Sequence, residues 1–233
     1  MKMPELRPSA LAAAVLLLCG SYACADESPK ALPAPAVDET KVQPGGTETA
    51  VLSGGCFWGM QGVFEHVRGI RHVVAGYSGG AGVNPSYEEV STGTTGHAES
   101  VKIAFDPGVI TYGQILRVYF SVAHDPTELN RQGPDSGTQY RSNIFYLNDA
   151  QQRIARAYIA QLSQTHAFRE PIVTRIDRIS GFYTAEAYHQ DYLIHNPDSI
   201  YILVNDLPKI ASLKSLYPAL YTASPAKVAD TRL

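Results

Sequence analysis

A short apolar run that enters a glycine-rich turn constrains this chain more than any other feature. Residues 50–52 read AVL, residues 54–59 read GGCFWG, and apolar residues then recur at Val63, Phe64 and Val67. An apolar run that stops at glycines is typical of a strand, and the later spacing is typical of one helix face. The sequence therefore predicts a strand, a tight turn and a helix in direct succession.

This turn places the thiol of Cys56 at or near the first turn of the predicted helix. The unpaired N–H groups and the positive dipole end of a helix N-terminus favour a thiolate over a thiol. A free cysteine is more often a small, inert, buried residue, and Phe57 and Trp58 then belong to the core. The flanking glycines favour a functional site instead, because they let other backbone segments approach closely.

The N-terminus has the pattern of an export signal over residues 1–25. Lys2 and Arg7 precede an apolar run from 9 to 18, and the sequence ACA ending at Ala25 fits a small-x-small cleavage site. The run is too short for a membrane-spanning helix, which needs about 20 apolar residues. We therefore expect an exported, periplasmic protein without a membrane span.

Cleavage after Ala25 changes the cysteine inventory of the chain. The three cysteines are Cys19, Cys24 and Cys56, and cleavage removes the first two. The mature chain then has one thiol and no internal disulfide. Lipid anchoring through Cys24 is the second-ranked alternative, because the residues before it lack the leucine that usually begins a lipidation motif.

Composition divides the rest of the chain into three parts. Residues 26–48 are rich in Pro, Ala and charged residues without any period, which predicts a disordered linker. Residues 49–215 are long enough for one catalytic domain with a substantial core, and 216–233 form a C-terminal tail. The net charge of −3 gives no basic field, so we expect no nucleic-acid partner.

Strand and helix patterns roughly alternate along the domain, which predicts a mixed sheet with helices packed on it. Thr111 and either Asn148 or Asp149 are predicted helix caps. Strands are expected at 51–53, 73–75, 101–105, 143–147 and 172–176; helices at 57–67, after Thr111, after Asn148 and at 185–195; and long irregular loops at 77–98 and 124–141.

The first loop ends at Glu99, directly before a predicted strand. A carboxylate at that position can be held firmly and partly desolvated, which raises its pKa and makes it a usable general acid. A solvated surface glutamate is the commoner case. Tyr77 and Tyr87 lie in the same loop, where they either cover the core or offer a hydroxyl to a ligand.

The second loop is dense in hydrogen-bonding side chains, and the default expectation is that most of them tie the loop to itself. No metal site is expected, since His189 and His195 are six residues apart and no cysteine pair accompanies them. The chain also lacks a glycine-rich phosphate loop.

Several motifs, taken together, resemble the A-type peptide methionine sulfoxide reductase family over essentially all of residues 49–215. They are GCFWG at 55–59, GHAE at 96–99, HDPT at 124–127, GTQYRS at 137–142 and NDLPK at 205–209. The resemblance implies an α/β (α+β) two-layer sandwich with a mixed sheet, packed helices and a ferredoxin-like core. It also implies a monomer with no metal and no bound organic cofactor.

The resemblance further implies how each site residue acts on a methionine (S)-sulfoxide, either free or in an oxidised protein. The substrate methyl group docks against Phe57 and Trp58, the Cys56 thiolate attacks the sulfoxide sulfur, and Glu99 protonates the departing oxygen. The positions that match the family's two assisting tyrosines and its aspartate are Tyr87, Tyr140 and Asp135. Cys56 becomes a sulfenic acid that a thiol must then reduce.

The chain departs from many members of that family at its C-terminus. No cysteine follows Cys56, and Tyr201 stands about where a first resolving cysteine is found. We therefore expect an external reductant, which is either a thioredoxin-like protein or a small thiol. If Cys24 were retained, the tether up to residue 48 would allow it to return to Cys56.

Three other function classes share parts of this pattern. A one-cysteine peroxidase also forms a sulfenic acid at a helix N-terminus, but we expect Thr or Pro beside its thiol. A cysteine hydrolase needs a histidine base such as His97, whereas the stronger candidate partner of Cys56 is a carboxylate. A non-enzymatic binding module needs Trp58 and has no need of Cys56.

Overall fold

The structure is a computed structural model that describes residues 29–228. The predicted signal peptide at 1–25, with Cys19 and Cys24, lies outside the described residues. Between residues 29 and 228, no helix has both the length and the apolar character that crossing a bilayer requires.

A six-stranded mixed sheet forms the centre of the fold. Its strands are β1 (Glu48–Ser53), β2 (Ile70–Ser78), β3 (Ala98–Phe105), β6 (Asn143–Tyr146), β7 (Arg175–Arg178) and β8 (Phe182–Thr184), in the order β7-β6-β1-β3-β2-β8. Two further short strands, β4 (Arg131–Gln132) and β5 (Asp135–Ser136), pair as a separate hairpin. Strands β6 and β7 are parallel, and the other neighbours in the large sheet are antiparallel.

Six α-helices accompany the strands among the described residues. They are α1 (Phe57–Glu65), α2 (Tyr87–Ser91), α3 (Tyr112–Val118), α4 (Asp149–Gln164), α5 (Tyr192–His195) and α6 (Leu207–Leu216). Turns of π-helix continue α3 over Tyr119–Ala123 and precede α6 over Ile202–Asp206, and 3-10 turns occupy Thr138–Tyr140 and Ala187–His189.

The central part of this arrangement confirms the predicted mixed α/β fold. The sequence order β1-α1-β2-β3-α3-β6 gives the spatial strand order β6-β1-β3-β2, which is the pattern of a ferredoxin-like core. Strands β1 and β3 are buried along most of their length, because sheet neighbours and packed helices cover them. The apolar cluster between sheet and helices includes Phe64, Phe105, Tyr119 and Tyr158.

Local capping explains where two helices begin. The Thr111 hydroxyl caps α3 by accepting from the Gln114 amide, and the Gln114 side-chain Oε1 accepts in turn from the Thr111 amide. Asn148 caps α4 by accepting from the Gln151 amide. Both are predicted positions, because short polar side chains satisfy the first free N–H groups of a helix.

The expectation of disorder is wrong for residues 29–47, which we call the N-terminal strap. Leu32 is buried, and its amide donates to the Tyr217 hydroxyl at 3.0 Å. The Tyr158 hydroxyl donates to the Pro33 carbonyl at 2.8 Å. Composition missed this order because side chains far along the sequence supply the partners for the strap backbone.

The strap also caps a helix from outside. Asp38 accepts hydrogen bonds from the Thr111 hydroxyl at 2.6 Å and from the Gly113 amide at 2.9 Å. A carboxylate at the start of α3 satisfies a free N–H group and meets the positive end of the helix dipole.

Four further predictions of local structure need correction. The loop at 77–98 contains a capped helix, α2, because Ser86 and Glu89 form a reciprocal capping box. The strand predicted at 172–176 is displaced to 175–178, where it pairs with β6. The helix predicted at 185–195 breaks into a 3-10 turn and α5, separated by Asp191 with φ 51°. The loop at 124–141 holds the β4–β5 hairpin.

Candidate active site

The glycine turn holds Cys56 between β1 and α1. Gly55 has φ +88°, a conformation that favours glycine, and its amide donates to the Tyr140 carbonyl at 3.1 Å. Cys56 itself is the N-cap residue of α1 and is 9% exposed. The turn is therefore tied to the second polar loop at the position of the thiol.

Close packing at Gly59 fixes the other side of α1. A Cβ atom at this position would lie 2.0 Å from Oδ1 of Asp206. Asp206 is fully buried and pairs with the Lys209 ammonium at 3.2 Å. The glycine therefore brings a buried carboxylate and its cation close to the first turn of α1.

Glu99 lies at the start of β3, beside the first turn of α1, and is 3% exposed. Its Oε2 accepts a hydrogen bond from the Phe57 amide at 2.9 Å. Burial raises the pKa of Glu99 to about 8, the Phe57 N–H opposes this rise, and the charge of Asp135 adds to it. The carboxyl group is therefore mostly protonated at neutral pH.

The thiol is less acidic than its helix position predicts. Burial raises the pKa of Cys56 well above its usual value, and the charges of Glu99 and Asp206 raise it further. The Trp58 N–H lowers this pKa only in part. The direction of this pKa shift is opposite to the thiolate expected from the helix position, because burial disfavours a charge on the sulfur and the first amide of α1 donates to Glu99.

An aromatic wall stands beside Cys56. The Trp58 indole stacks on Tyr192 with ring centroids 3.7 Å apart and meets the edge of Tyr201 at 5.8 Å. Phe57 is buried and packs against His189 with centroids 5.0 Å apart. The wall expected from Phe57 and Trp58 is thus extended by aromatic residues from the C-terminal part of the chain.

Tyr87 and Tyr140 both come close to the Glu99–Cys56 pair. Tyr87 is the first residue of α2, and Tyr140 ends a 3-10 turn in the second loop. Burial raises the pKa of both hydroxyls, and the charges of Glu99 and Cys56 contribute to each rise. Both tyrosines therefore stay neutral and can donate hydrogen bonds.

Asp135, in β5, lies against Tyr201 in the same region. The Tyr201 hydroxyl donates to its Oδ2. A cavity of about 250 Å³ borders Cys56, Asp135 and Tyr201 and extends towards Lys209 and Phe120. Phe57 and Trp58 are not part of its lining, so two different surfaces meet at the thiol.

The histidines of the polar loops contact other groups, although His124 borders the same cavity as Cys56. His97 packs its ring against Tyr183, and neither ring nitrogen has a hydrogen-bond partner among residues 29–228. His124 bonds the Tyr119 carbonyl and the Ser142 hydroxyl, and burial lowers its pKa to about 3. Neither His97 nor His124 therefore hydrogen-bonds to Cys56, as the base of a cysteine–histidine hydrolase would.

Arg141 ties the second polar loop to itself, as expected for most residues of that loop, and also to the first loop. The Arg141 guanidinium donates to the Thr138 carbonyl and to the Gly96 carbonyl, each at 2.9 Å. Within residues 29–228, no group of three or more His, Cys, Asp or Glu side chains is arranged to hold a metal ion.

Three site residues were missed as candidates by sequence reasoning: His189, Tyr192 and Tyr201. His189 and Tyr192 lie in an aromatic segment that was predicted to be one helix. The break in that helix changes which way their side chains point, and the sequence did not reveal it. Tyr201 was noted only as a replacement for cysteine. Their common signal is tyrosine and histidine density between 183 and 201.

Comparison with known proteins agrees with this geometry. A family model described as peptide methionine sulfoxide reductase matches residues 48–218. The chain belongs to this family. The peptide methionine sulfoxide reductase MsrA 2 of Mesorhizobium japonicum is 60% identical over 183 residues, which are 78% of this chain and 94% of the relative.

A second relative and a solved structure are also similar to this peptide methionine sulfoxide reductase family member. The MsrA 2 protein of Synechocystis is 48% identical over 81% of this chain and 89% of its own length. The crystal structure of reduced Mxr1 from Saccharomyces cerevisiae is similar at 33% identity with a TM-score of 0.59, covering 66% of this chain and 87% of that one. The chain is an oxidoreductase that reduces methionine sulfoxide in peptides.

Proposed function

We propose that Cys56 is the nucleophile and Glu99 the general acid in the reduction of methionine (S)-sulfoxide. The observation that carries the proposal is a buried carboxyl group of pKa about 8, held on the Phe57 amide beside the only described cysteine. Phe57 and Trp58 form the apolar contact for the substrate methyl group.

Glu99 and Cys56 together balance the first chemical step. Cys56 Sγ attacks the sulfoxide sulfur, and the oxygen takes the thiol proton and the Glu99 proton and leaves as water. This forms a sulfonium in which Cys56 Sγ is bonded to the methionine sulfur. The proton from Glu99 is necessary because an unprotonated sulfoxide oxygen is a poor leaving group.

The second step returns the oxygen to the protein. Water attacks Cys56 Sγ, the bond to the methionine sulfur breaks with its electron pair on methionine, and the released proton restores Glu99. Cys56 is then oxidised to a sulfenic acid and the sulfoxide is reduced to a thioether. In the first step, neutral hydroxyls of Tyr87 and Tyr140 stabilise charge on the departing sulfoxide oxygen, as an oxyanion hole does. Asp135 and its Tyr201 partner complete the polar side of the site.

An external thiol completes the cycle in this proposal. Cys56 is the only cysteine in residues 29–228, so a disulfide within that part of the chain is impossible. Two thiols from a thioredoxin-like protein or from small molecules reduce the sulfenic acid, which yields Cys56 thiol, a disulfide and water. No metal or bound cofactor takes part.

Export is part of the proposal and rests on residues 1–25 alone. The protein would then repair oxidised exported proteins in the periplasm as a monomer, with lipid anchoring through Cys24 as the alternative. Mass spectrometry of the mature N-terminus tests this: a first residue of Asp26 supports cleavage and excludes Cys24 as a partner thiol.

The enzymatic proposal is tested with dabsyl-methionine sulfoxide of each epimer and a dithiol. We expect the wild type to reduce the S epimer and Cys56→Ser to reduce neither. Activity in Cys56→Ser, or preference for the R epimer, would overturn the assignment. Hydrolytic cleavage of the substrate instead of reduction at sulfur would support the cysteine hydrolase class.

A further inference from the structure

We propose that His189 is a positioning residue that holds the Trp58 indole in place, and that it does so only as a neutral imidazole. The inference rests on the proposed function, since it assigns Trp58 to the substrate methyl group. It goes beyond that function because His189 touches neither the thiol nor the acid that carry the chemistry.

The geometry around His189 is specific. The Trp58 Nε1–H donates to its Nδ1 at 3.1 Å. The same ring lies 5.0 Å from the Phe57 ring and 4.5 Å from the Tyr87 ring, measured between centroids. The His189 imidazole therefore contacts Phe57 and Trp58, which are proposed to bind the substrate methyl group. It also contacts Tyr87, one of the two tyrosines proposed to stabilise the sulfoxide oxygen.

The indole hydrogen bond fixes the protonation state of His189. An indole N–H is only a donor, so Nδ1 must be an unprotonated acceptor and the proton of the neutral ring lies on Nε2. His189 is 2% exposed, and Nε2 has no hydrogen-bond partner among the described residues. A second proton on the ring would place the His189 Nδ1–H against the Trp58 Nε1–H, and two donors cannot form a hydrogen bond.

The surrounding groups set the balance between the two states. Burial lowers the pKa of His189, and the charges of Glu186 and Glu88 oppose this. Glu186 is itself engaged by the Tyr77 hydroxyl at 2.9 Å and the Tyr87 amide at 2.8 Å. The other groups that face the ring are aromatic: Phe57, Trp58, Tyr87 and Tyr188. His189 is therefore neutral at neutral pH and charges only in acid.

Protonation of His189 is expected to weaken substrate binding more than chemistry. The indole loses its acceptor, so the Trp58 plane is no longer held against the substrate methyl group, whereas the Glu99–Phe57 hydrogen bond is untouched. Loss of one such hydrogen bond is worth about 1 kcal/mol, or roughly a fivefold to tenfold change in half-saturation.

Trp58 is the only tryptophan in the chain, so its fluorescence reports this contact directly. We would titrate the substrate-free protein between about pH 4 and pH 8 as wild type, His189→Asn and the exposed control His195→Asn. The Asn amide oxygen occupies the place of Nδ1 as an acceptor and does not titrate. A transition is expected in the wild type and the control, and none in His189→Asn.

The second readout is single-turnover reduction of the sulfoxide without added thiol. It gives the substrate concentration at half-saturation and the limiting rate. His189→Leu, which lacks an acceptor, is expected to raise half-saturation roughly fivefold to tenfold at neutral pH, with a limiting rate within about threefold. His189→Asn is expected to raise half-saturation less than His189→Leu does at neutral pH and to show no further rise in acid.

Distinct results would overturn the inference. A flat wild-type fluorescence titration, or a transition that persists in His189→Asn, removes the His189–Trp58 coupling. Unchanged half-saturation in His189→Leu also refutes it. A fall in the limiting rate without a rise in half-saturation would refute it as well. If His189→Leu does not fold, His189→Asn and the titration still decide. The titration needs no turnover, so failure of the proposed function is distinguishable from failure of this inference.

Discussion

Replacement of Glu99 by Gln tests the central electrostatic argument of the site. The amide oxygen still accepts from the Phe57 amide, so the geometry is kept while the acidic proton is lost. With a pKa of about 8, roughly nine-tenths of Glu99 is protonated at pH 7. A glutamate at its usual pKa of about 4.5 would be protonated in only about one molecule in 300.

The loss expected from this variant is large and has a defined pH dependence. A positioned general acid supplies ~10²–10⁴-fold, so single-turnover methionine formation should fall by that factor in Glu99→Gln. The wild-type rate should decline about tenfold per unit above about pH 8, where Glu99 loses its proton. That decline should be absent in the variant. The assay is rapid-quench measurement of methionine formed per Cys56, with dabsyl-methionine (S)-sulfoxide and no thiol.

An opposite effect on thiol chemistry separates this outcome from misfolding. The charge of Glu99 raises the pKa of Cys56, so its removal should make alkylation by iodoacetamide faster at about pH 9. Glu170→Gln, at an exposed glutamate, is the charge-matched control and should change neither rate. Wild-type sulfoxide reduction in Glu99→Gln would refute Glu99 as the acid, and unchanged alkylation would refute the electrostatic coupling.

Three further outcomes follow from the structure. One turnover of the mature protein without thiol should leave Cys56, the only cysteine in residues 29–228, as a dimedone-reactive sulfenic acid by mass spectrometry; an internal disulfide instead would contradict the expected removal of Cys24. Asp38→Ala should cost about 1–2 kcal/mol in urea unfolding, because the Thr111 and Gly113 donors lose their acceptor. An unchanged midpoint would mean that the strap does not stabilise α3. Burial raises the pKa of Glu65 to about 9. Its contribution to stability is therefore complete below about pH 4.5 and is lost towards pH 9, at up to about 1.4 kcal/mol per unit. Glu65→Gln should flatten that slope in pH-dependent urea unfolding, and an equally steep slope would contradict the assignment.

The predictable parts of this fold are those that depend on near neighbours in sequence. The strand into Gly55, the helix after Cys56 and the caps at Thr111 and Asn148 all satisfy backbone groups within a few residues. The strap was missed because its order comes from partners such as Tyr217, far away in sequence. The same limit hid the break at Asp191, whose backbone amide and carboxylate bond Gln61.

By itself, the sequence determined the nucleophile candidate, its carboxylate partner and the aromatic contact, since GCFWG and GHAE carry these residue types at defined points of the chain. Only the tertiary structure decided the protonation states. The pKa of Cys56 and that of Glu99 depend on burial and on charges brought from distant elements, Asp135 and Asp206. Desolvation and Coulomb interactions act through space, so a helix position alone predicted a thiolate where the folded site holds a thiol beside a neutral acid.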